Sequence, residues 1–173
     1  AAGISSDKIV ARLGTDRVVR TMPNTPAQIG KGISGAFAGD AVTAADRDLT
    51  EALLAAAGGV VWVEDETLID AVTAVSGSGP AYVFHLVEAM AAAGEAEGLS
   101  PDQAMVLARQ TVVGAAALME ADDSEAAQLR KNVTSPNGTT QAALDVLMAP
   151  DGLGALMKRA ISAARKRSEE LGQ

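Results

Sequence analysis

Strand-like patterning is confined to the first 65 residues of this chain. From Glu66 onward every apolar segment repeats with helical spacing. That asymmetry restricts the fold more than any single motif. Strands alternating with helices imply an α/β sheet, and a run of helices alone implies a separate packed layer. The expected class is therefore α/β followed by all-α. Only four rings are present, Trp62, Tyr82, Phe37 and Phe84, so the core must be built from Ala, Val, Leu, Ile and Met. Such a core favours closely packed helices over a sandwich of large side chains.

Local signals place the elements. Ser5 or Ser6 opens a helix that runs to Leu13. Strands are expected over residues 17–22, 32–38 and 59–63, the second of them rich in Gly. Thr43-Ala44-Ala45-Asp46 resembles a capping box, with Asp in place of Glu, before a helix to Ala57. A short helix over 66–75 should break at Gly77-Ser78-Gly79-Pro80, and Pro80 suits the first turn of the next helix, to Glu97. Ser100-Pro101 is an N-cap followed by Pro at the first helical position, for a helix to Ala121. A polar break at residues 122–124 precedes a short helix to Asn132. The last helix starts near Leu153 and should bury Leu153, Leu156, Met157, Ala160, Ile161 and Ala164 as one stripe.

The first region makes a poor sheet alone, with three strands and one full crossover. No G-x-G-x-x-G occurs, and the Gly77/Gly79 pair lies between helices. The first half of a dinucleotide-binding fold is thus expected to be missing from this chain.

Net charge is −8, and residues 1–70 and 71–173 each carry −4. An even acidic balance opposes a nucleic-acid partner. Lys158, Arg159, Arg165, Lys166 and Arg167 read as a solvated face with cations near a helix end. There is no cysteine, which excludes disulfides, thiolate catalysis and Cys-based zinc sites. No metal site is expected. No signal peptide and no apolar run of transmembrane length are read, so the expectation is a soluble, cytoplasmic protein with no membrane partner.

The richest local chemistry lies at residues 133–140 (VTSPNGTT), a polar turn leading into a helix over 141–148. Pro136, Asn137 and Gly138 form turns, and Thr139 or Thr140 can cap the helix. A helix's first turn presents unpaired N–H groups and the positive end of its dipole. The amides around Gly138, Thr139 and Thr140, with Ser135, could therefore hold one carboxylate or phosphate. The plain alternative is an ordinary turn and cap. Met22, Pro23 and Asn24 follow the carboxyl end of a strand, where open α/β sheets bind ligands. His85, among Tyr82, Phe84 and Leu86, reads as packing or interface. Ser76 to Gly79 read as close helix packing before active-site lining, and Thr73 stays undecided.

Three motifs agree in order and spacing: residues 22–27 (MPNTPA) after a strand, residues 70–82 (DAVTAVSGSGPAY) leading from sheet to helices, and residues 135–140 (SPNGTT) between two late helices. Together they closely resemble the pyrroline-5-carboxylate reductases, over the whole chain. Ala1-Ala2-Gly3 is similar to the family's turn just past the middle of its cofactor domain. Asn137 departs from the family's more usual second Gly. Its tolerance of left-handed backbone angles should preserve the turn.

The resemblance implies reduction of the C=N bond of 1-pyrroline-5-carboxylate to L-proline with NADPH or NADH. It implies a partial Rossmann-like domain over residues 1–65 and a helical dimerisation and substrate domain over 66–173. Helices would interlock with a second subunit, the active site would form where the two meet, and larger rings of dimers are common. By resemblance Thr140 is catalytic, its hydroxyl on the ring nitrogen. Glu66, Ser135, Gly138, Thr139 and Thr140 would bind substrate, and Ala1, Ala2, Met22, Pro23, Asn24 and Asn132 would contact cofactor. Structural alternatives exist for Glu66 (an acid at a helix start) and Asn132 (a helix C-terminal cap). A β-hydroxyacid dehydrogenase is rejected because no lysine occurs between Lys31 and Lys131. A non-catalytic helical oligomerisation module is the alternative of another class.

Overall fold

The structure, a computed structural model, describes residues 3–172. The cofactor contacts expected of Ala1 and Ala2 lie outside the described residues. The chain forms two compact units. One holds the residues up to 81 together with those from 158 on, and the other holds residues 82–157. Residues 66–81 and most of the last helix thus group with the sheet, where the sequence reading divided the chain at residue 65.

The first unit begins with helix α1 (Ser6–Leu13), capped by the Ser5 side chain and closed by Gly14 in the left-handed region. Three strands follow, β1 (Val19–Met22), β2 (Gly32–Ala38) and β3 (Gly58–Trp62), in the order β1-β2-β3. All strands of the described residues thus precede Val63. β2 and β3 run parallel, joined by the crossover helix α2 (Ala44–Leu54). β1 runs antiparallel to β2 with Met22 opposite Gly35, an orientation that alternation of elements does not specify. The capping box forms as expected, Thr43 and Asp46 exchanging hydrogen bonds, but α2 ends at Leu54, short of Ala57. Trp62 fastens β3 to α2: its indole N–H donates to Glu51 at 2.6 Å and the Arg47 guanidinium lies 4.8 Å from its ring centre.

Helix α3 (Leu68–Val72) lies on β2, and Ile69, Ala74, Ala36 and Val18 of this unit are all buried. Contact is close because residue 35 is Gly. A Cβ there would sit 2.5 Å from Val72 Cγ1. The Gly-rich character of β2 thus reflects close approach of a helix.

The expected break at Gly77-Ser78-Gly79-Pro80 forms, reduced to a single bend at Ser78. A π-helical turn (Thr73–Gly77) follows α3 directly, and after Ser78 the chain enters α4 (Gly79–Ala96), with Pro80 in its first turn. Ser78, between the two, keeps right-handed helical angles. The C-terminal part of α8 (Leu153–Gly172) joins this unit, where the buried Ser168 hydroxyl donates to Asp70 at 2.5 Å and Lys8 Nζ donates to the Gly172 carbonyl at 2.6 Å.

The second unit contains most of α4, then α5 (Pro101–Ala121), α6 (Ala126–Asn132), α7 (Thr139–Leu147) and the start of α8. Ser100 and Gln103 form a capping box, with Pro101 in the first turn of α5. Its core is small: Ala91, Ala104 and Ala108, with Val87 packed against them. Large apolar side chains stay outside. Phe84, Val106, Leu107, Leu118, Met119 and Val146 are each more than half exposed. The stripe expected to be buried on α8 is not: Leu153 and Leu156 are exposed and Met157, Ala160, Ile161 and Ala164 only half-buried. A single chain has too few facing elements to cover it. α5 also corrects the reading of apolar runs. It is long and apolar enough to cross a membrane by length and composition alone, with mean hydropathy 1.2 over its most apolar window. The run includes Arg109, Gln110 and Thr111.

Candidate functional site

The turn over residues 135–138 is built by local chemistry. Pro136 takes its second position and Asn137 its third, with φ at 59°, the combination a type II turn requires. The Gly138 N–H donates to the Ser135 carbonyl at 3.0 Å and closes it. Gly138 is demanded by space, since a Cβ there would collide with Ser135 Oγ.

The expected cap by Thr139 or Thr140 does not occur. Gly138 is the N-cap, with no side chain to offer, and both threonines belong to the first turn of α7. The first intrahelical bond runs from Ala142 N–H to the Gly138 carbonyl at 3.2 Å. By helix geometry the N–H groups of Thr139, Thr140 and Gln141 have no acceptor inside the helix. The Gln141 side chain turns along the helix to Asp145 at 2.6 Å. Ser135 and Thr139 are exposed, and Gly138 and Thr140 half-buried. The structure thus gathers Ser135, Gly138, Thr139 and Thr140 at one electropositive helix end, suited to a small anion with a second polar atom.

Asn132, also in the second unit, is the last residue of α6. Val133 is the C-cap, so Asn132 is not the cap that the structural alternative supposed. Its Oδ1 accepts from Gln128 Nε2 at 2.8 Å, and Thr134 Oγ1 donates to the Arg130 carbonyl at 2.6 Å. His85 is exposed and pairs with Glu88 one turn along α4, at 3.0 Å.

A second group of predicted residues lies in the first unit. Because β1 is antiparallel to β2, its carboxyl end arrives beside the start of β2. Met22, Pro23 and Asn24 therefore sit next to Ile33, whose N–H donates to Asn24 Oδ1 at 3.0 Å. Asn24 Nδ2 donates to Ser76 Oγ at 3.3 Å. Gly77 lies under the Met22 thioether, so close that a Cβ would sit 2.9 Å from Met22 Cε. Ser76 and Gly77, read from sequence as packing, thus belong to the same cluster as Met22 and Asn24. A polar Ser76 directly after the apolar run 71–75 was the available signal.

Glu66 has a different setting. It precedes α3 by two residues, and its Oε1 accepts from the Ser6 N–H at 2.6 Å and from Arg20 at 2.7 Å. Arg20 is 8% exposed, and a buried guanidinium needs such a partner. Burial pushes the Glu66 carboxyl upward, but the hydrogen bonds from Ser6 and Arg20 outweigh it and hold the group below the ordinary glutamate range. A cavity of about 240 Å³ beside this pair is lined by Gly3, Ser5, Asp70 and Ser168 among others. Neither Met22 nor Asn24 reaches it. The basic cluster of α8 is partly neutralised along its own helix, by Arg165–Glu169 and Arg167–Glu170 pairs at 2.9 and 3.0 Å.

Comparison with known proteins follows from this geometry. Residues 66–171 match the family described as pyrroline-5-carboxylate reductase dimerisation. The chain is 50% identical over 174 residues to the pyrroline-5-carboxylate reductase of Pseudomonas aeruginosa, an alignment covering 100% of this chain and 63% of that protein. Among solved structures it resembles a pyrroline-5-carboxylate reductase from Coxiella burnetii, with TM-score 0.93 and 41% identity over 100% of this chain and 64% of the other. It also resembles the Plasmodium falciparum pyrroline carboxylate reductase with NADP bound, with TM-score 0.82 and 29% identity over 99% of this chain and 69% of the other. The chain spans a little under two thirds of the length of the curated relatives it matches.

Proposed function

The chain belongs to the pyrroline-5-carboxylate reductase family, and from that premise we propose that it carries the substrate turn, a wall of the nicotinamide site and the subunit interface of a cytoplasmic enzyme of proline synthesis. The reaction is reduction of the C=N bond of 1-pyrroline-5-carboxylate to L-proline with NADPH or NADH, in a homodimer or a larger ring of dimers. The observation that carries this reading is the start of α7, where a glycine N-cap leaves the N–H groups open and Thr140 stands in the first turn.

The substrate has one carboxylate, one ring nitrogen and few other atoms. A few charged hydrogen bonds, each worth about 1.5–3 kcal/mol, must supply most of its binding. The amides of Thr139 and Thr140 and the Ser135 hydroxyl hold the carboxylate. The Thr140 hydroxyl holds the ring nitrogen, and so sets which face of the imine carbon is presented. The nitrogen arrives already protonated, so no strong acid is asked of the protein. Positioning of two reactants is the main contribution. A reduced nicotinamide, when bound, supplies the hydride.

A flat ring of that kind suits an apolar surface such as the Met22 thioether and the Pro23 ring. Both ends of the Asn24 amide are engaged within the first unit, so Asn24 acts by fixing this segment. Asn132 contributes to the cofactor side. Glu66 is reassigned to anchoring the start of α1 and the buried Arg20, in keeping with its hydrogen bonds.

The test is imine-dependent oxidation of NADPH or NADH by the full-length gene product. Turnover abolished or strongly reduced by Thr140→Ala is the expected result. A folded dimer without turnover would instead leave a helical oligomerisation module.

A further inference from the structure

Asn24 is an N-cap residue whose side chain does not cap. It precedes the 3-10 turn Thr25–Ile29, where its carbonyl accepts from the Ala27 N–H at 3.2 Å but its side chain bonds none of the turn's N–H groups. An Asn side chain at this position ordinarily bonds one. Its amide is diverted: Oδ1 accepts from the Ile33 N–H at 3.0 Å and Nδ2 donates to Ser76 Oγ at 3.3 Å. Ser76 in turn lies inside the π-helical turn Thr73–Gly77, where Ser78 N–H reaches back five residues to the Thr73 carbonyl at 2.8 Å.

An α-helix advances about 100° per residue, so one extra residue in the turn re-aims every side chain after it. The entry to the turn is pinned by the buried Thr73 hydroxyl, which donates to the Ile69 carbonyl at 2.8 Å. At its exit Gly77 leaves room for Met22 Cε. Two residues of one turn, Ser76 and Gly77, thus meet a segment more than 45 residues earlier in the chain, and Thr73 fixes the start of that turn.

We propose that Ser76 is a positioning residue: its hydroxyl, aimed by the π-helical turn, holds the Asn24 amide and through it fixes the Met22–Asn24 wall against which the nicotinamide rests. This assignment depends on the proposed nicotinamide role of that wall.

The experiment compares wild type, Ser76→Ala and Ser76→Thr. In the full-length protein, kcat and KM for the reduced dinucleotide and the imine are measured beside Tm. In the same protein, the Asn24 side-chain amide is followed by NMR. The expected result for Ser76→Ala is a roughly five- to ten-fold lower kcat/KM for the dinucleotide, the loss of about one hydrogen bond. KM for the imine and Tm should change little, and the Asn24 amide signal should shift and exchange faster. Ser76→Thr should restore both kinetics and signal. Unchanged kcat/KM with active wild type overturns the assignment and leaves the reductase reading intact. So does an unmoved Asn24 signal, or a fall in Tm without a kinetic effect. A wild type with no imine-dependent turnover overturns the reductase reading, and the assignment with it.

Discussion

Asn137 joins backbone geometry to binding chemistry. At φ 59° it occupies the left-handed region that Asn enters more readily than most residues. A β-branched residue there should destabilise the protein by about 1–2 kcal/mol, whereas Gly should be tolerated. Urea unfolding of Asn137→Val and Asn137→Gly would measure this. Thr140→Ala tests the chemistry built on that turn. It should lower kcat/KM for the imine by about 10–100-fold, the loss of one charged hydrogen bond, while sedimentation shows an unchanged oligomer. The turn was legible because Pro136, Asn137 and Gly138 are locally obliged to make one. The position of Thr139 and Thr140 inside the helix was not. It depends on Gly138 fitting beneath Ser135, a fact of space rather than pattern. The setting of Glu66 was equally hidden, because Arg20 is 46 residues away and nothing local pairs them.

Elements whose ends are decided locally were read well. The capping box of Thr43 with Asp46 and the N-cap at Ser100 form as expected, and α5 starts and ends where expected. The π-helical turn escaped because Gly77-Ser78-Gly79-Pro80 has the composition of a breaker. The break does occur, at Ser78, but the turn before it meets Met22 and Asn24, which no local signal announces. β2 teaches the same lesson from the other side. Its glycines weaken a strand considered alone, but Gly35 admits Val72. Gly35→Ala should therefore destabilise by about 1–3 kcal/mol despite improving strand propensity, as read from thermal unfolding. Packing against α3 decides the sign.

For the whole molecule, exposed apolar area is the outstanding quantity. Val106, Leu118, Met119 and Val146, all of the second unit, are each more than half exposed. In the proposed homodimer a second copy buries them, which fits the small Ala91–Ala104–Ala108 core. Val106→Asp or Leu118→Asp should shift the protein toward monomer in sedimentation velocity while leaving the first unit folded. Acid should act on that first unit. Glu66 binds its proton more weakly when folded than when unfolded. Its stabilisation is therefore complete above the unfolded value of about 4.3 and drains away as pH falls through the lower folded value. Glu66→Gln should flatten that part of the curve in a series of Tm against pH. These transitions need a reporter confined to one region, and the chain supplies it. Trp62 is the sole indole, wedged between Arg47 and Glu51 where the crossover helix meets the last strand. Its fluorescence will follow melting of the sheet, and far-ultraviolet ellipticity will follow the helices, so comparing the two separates these events without any added dye.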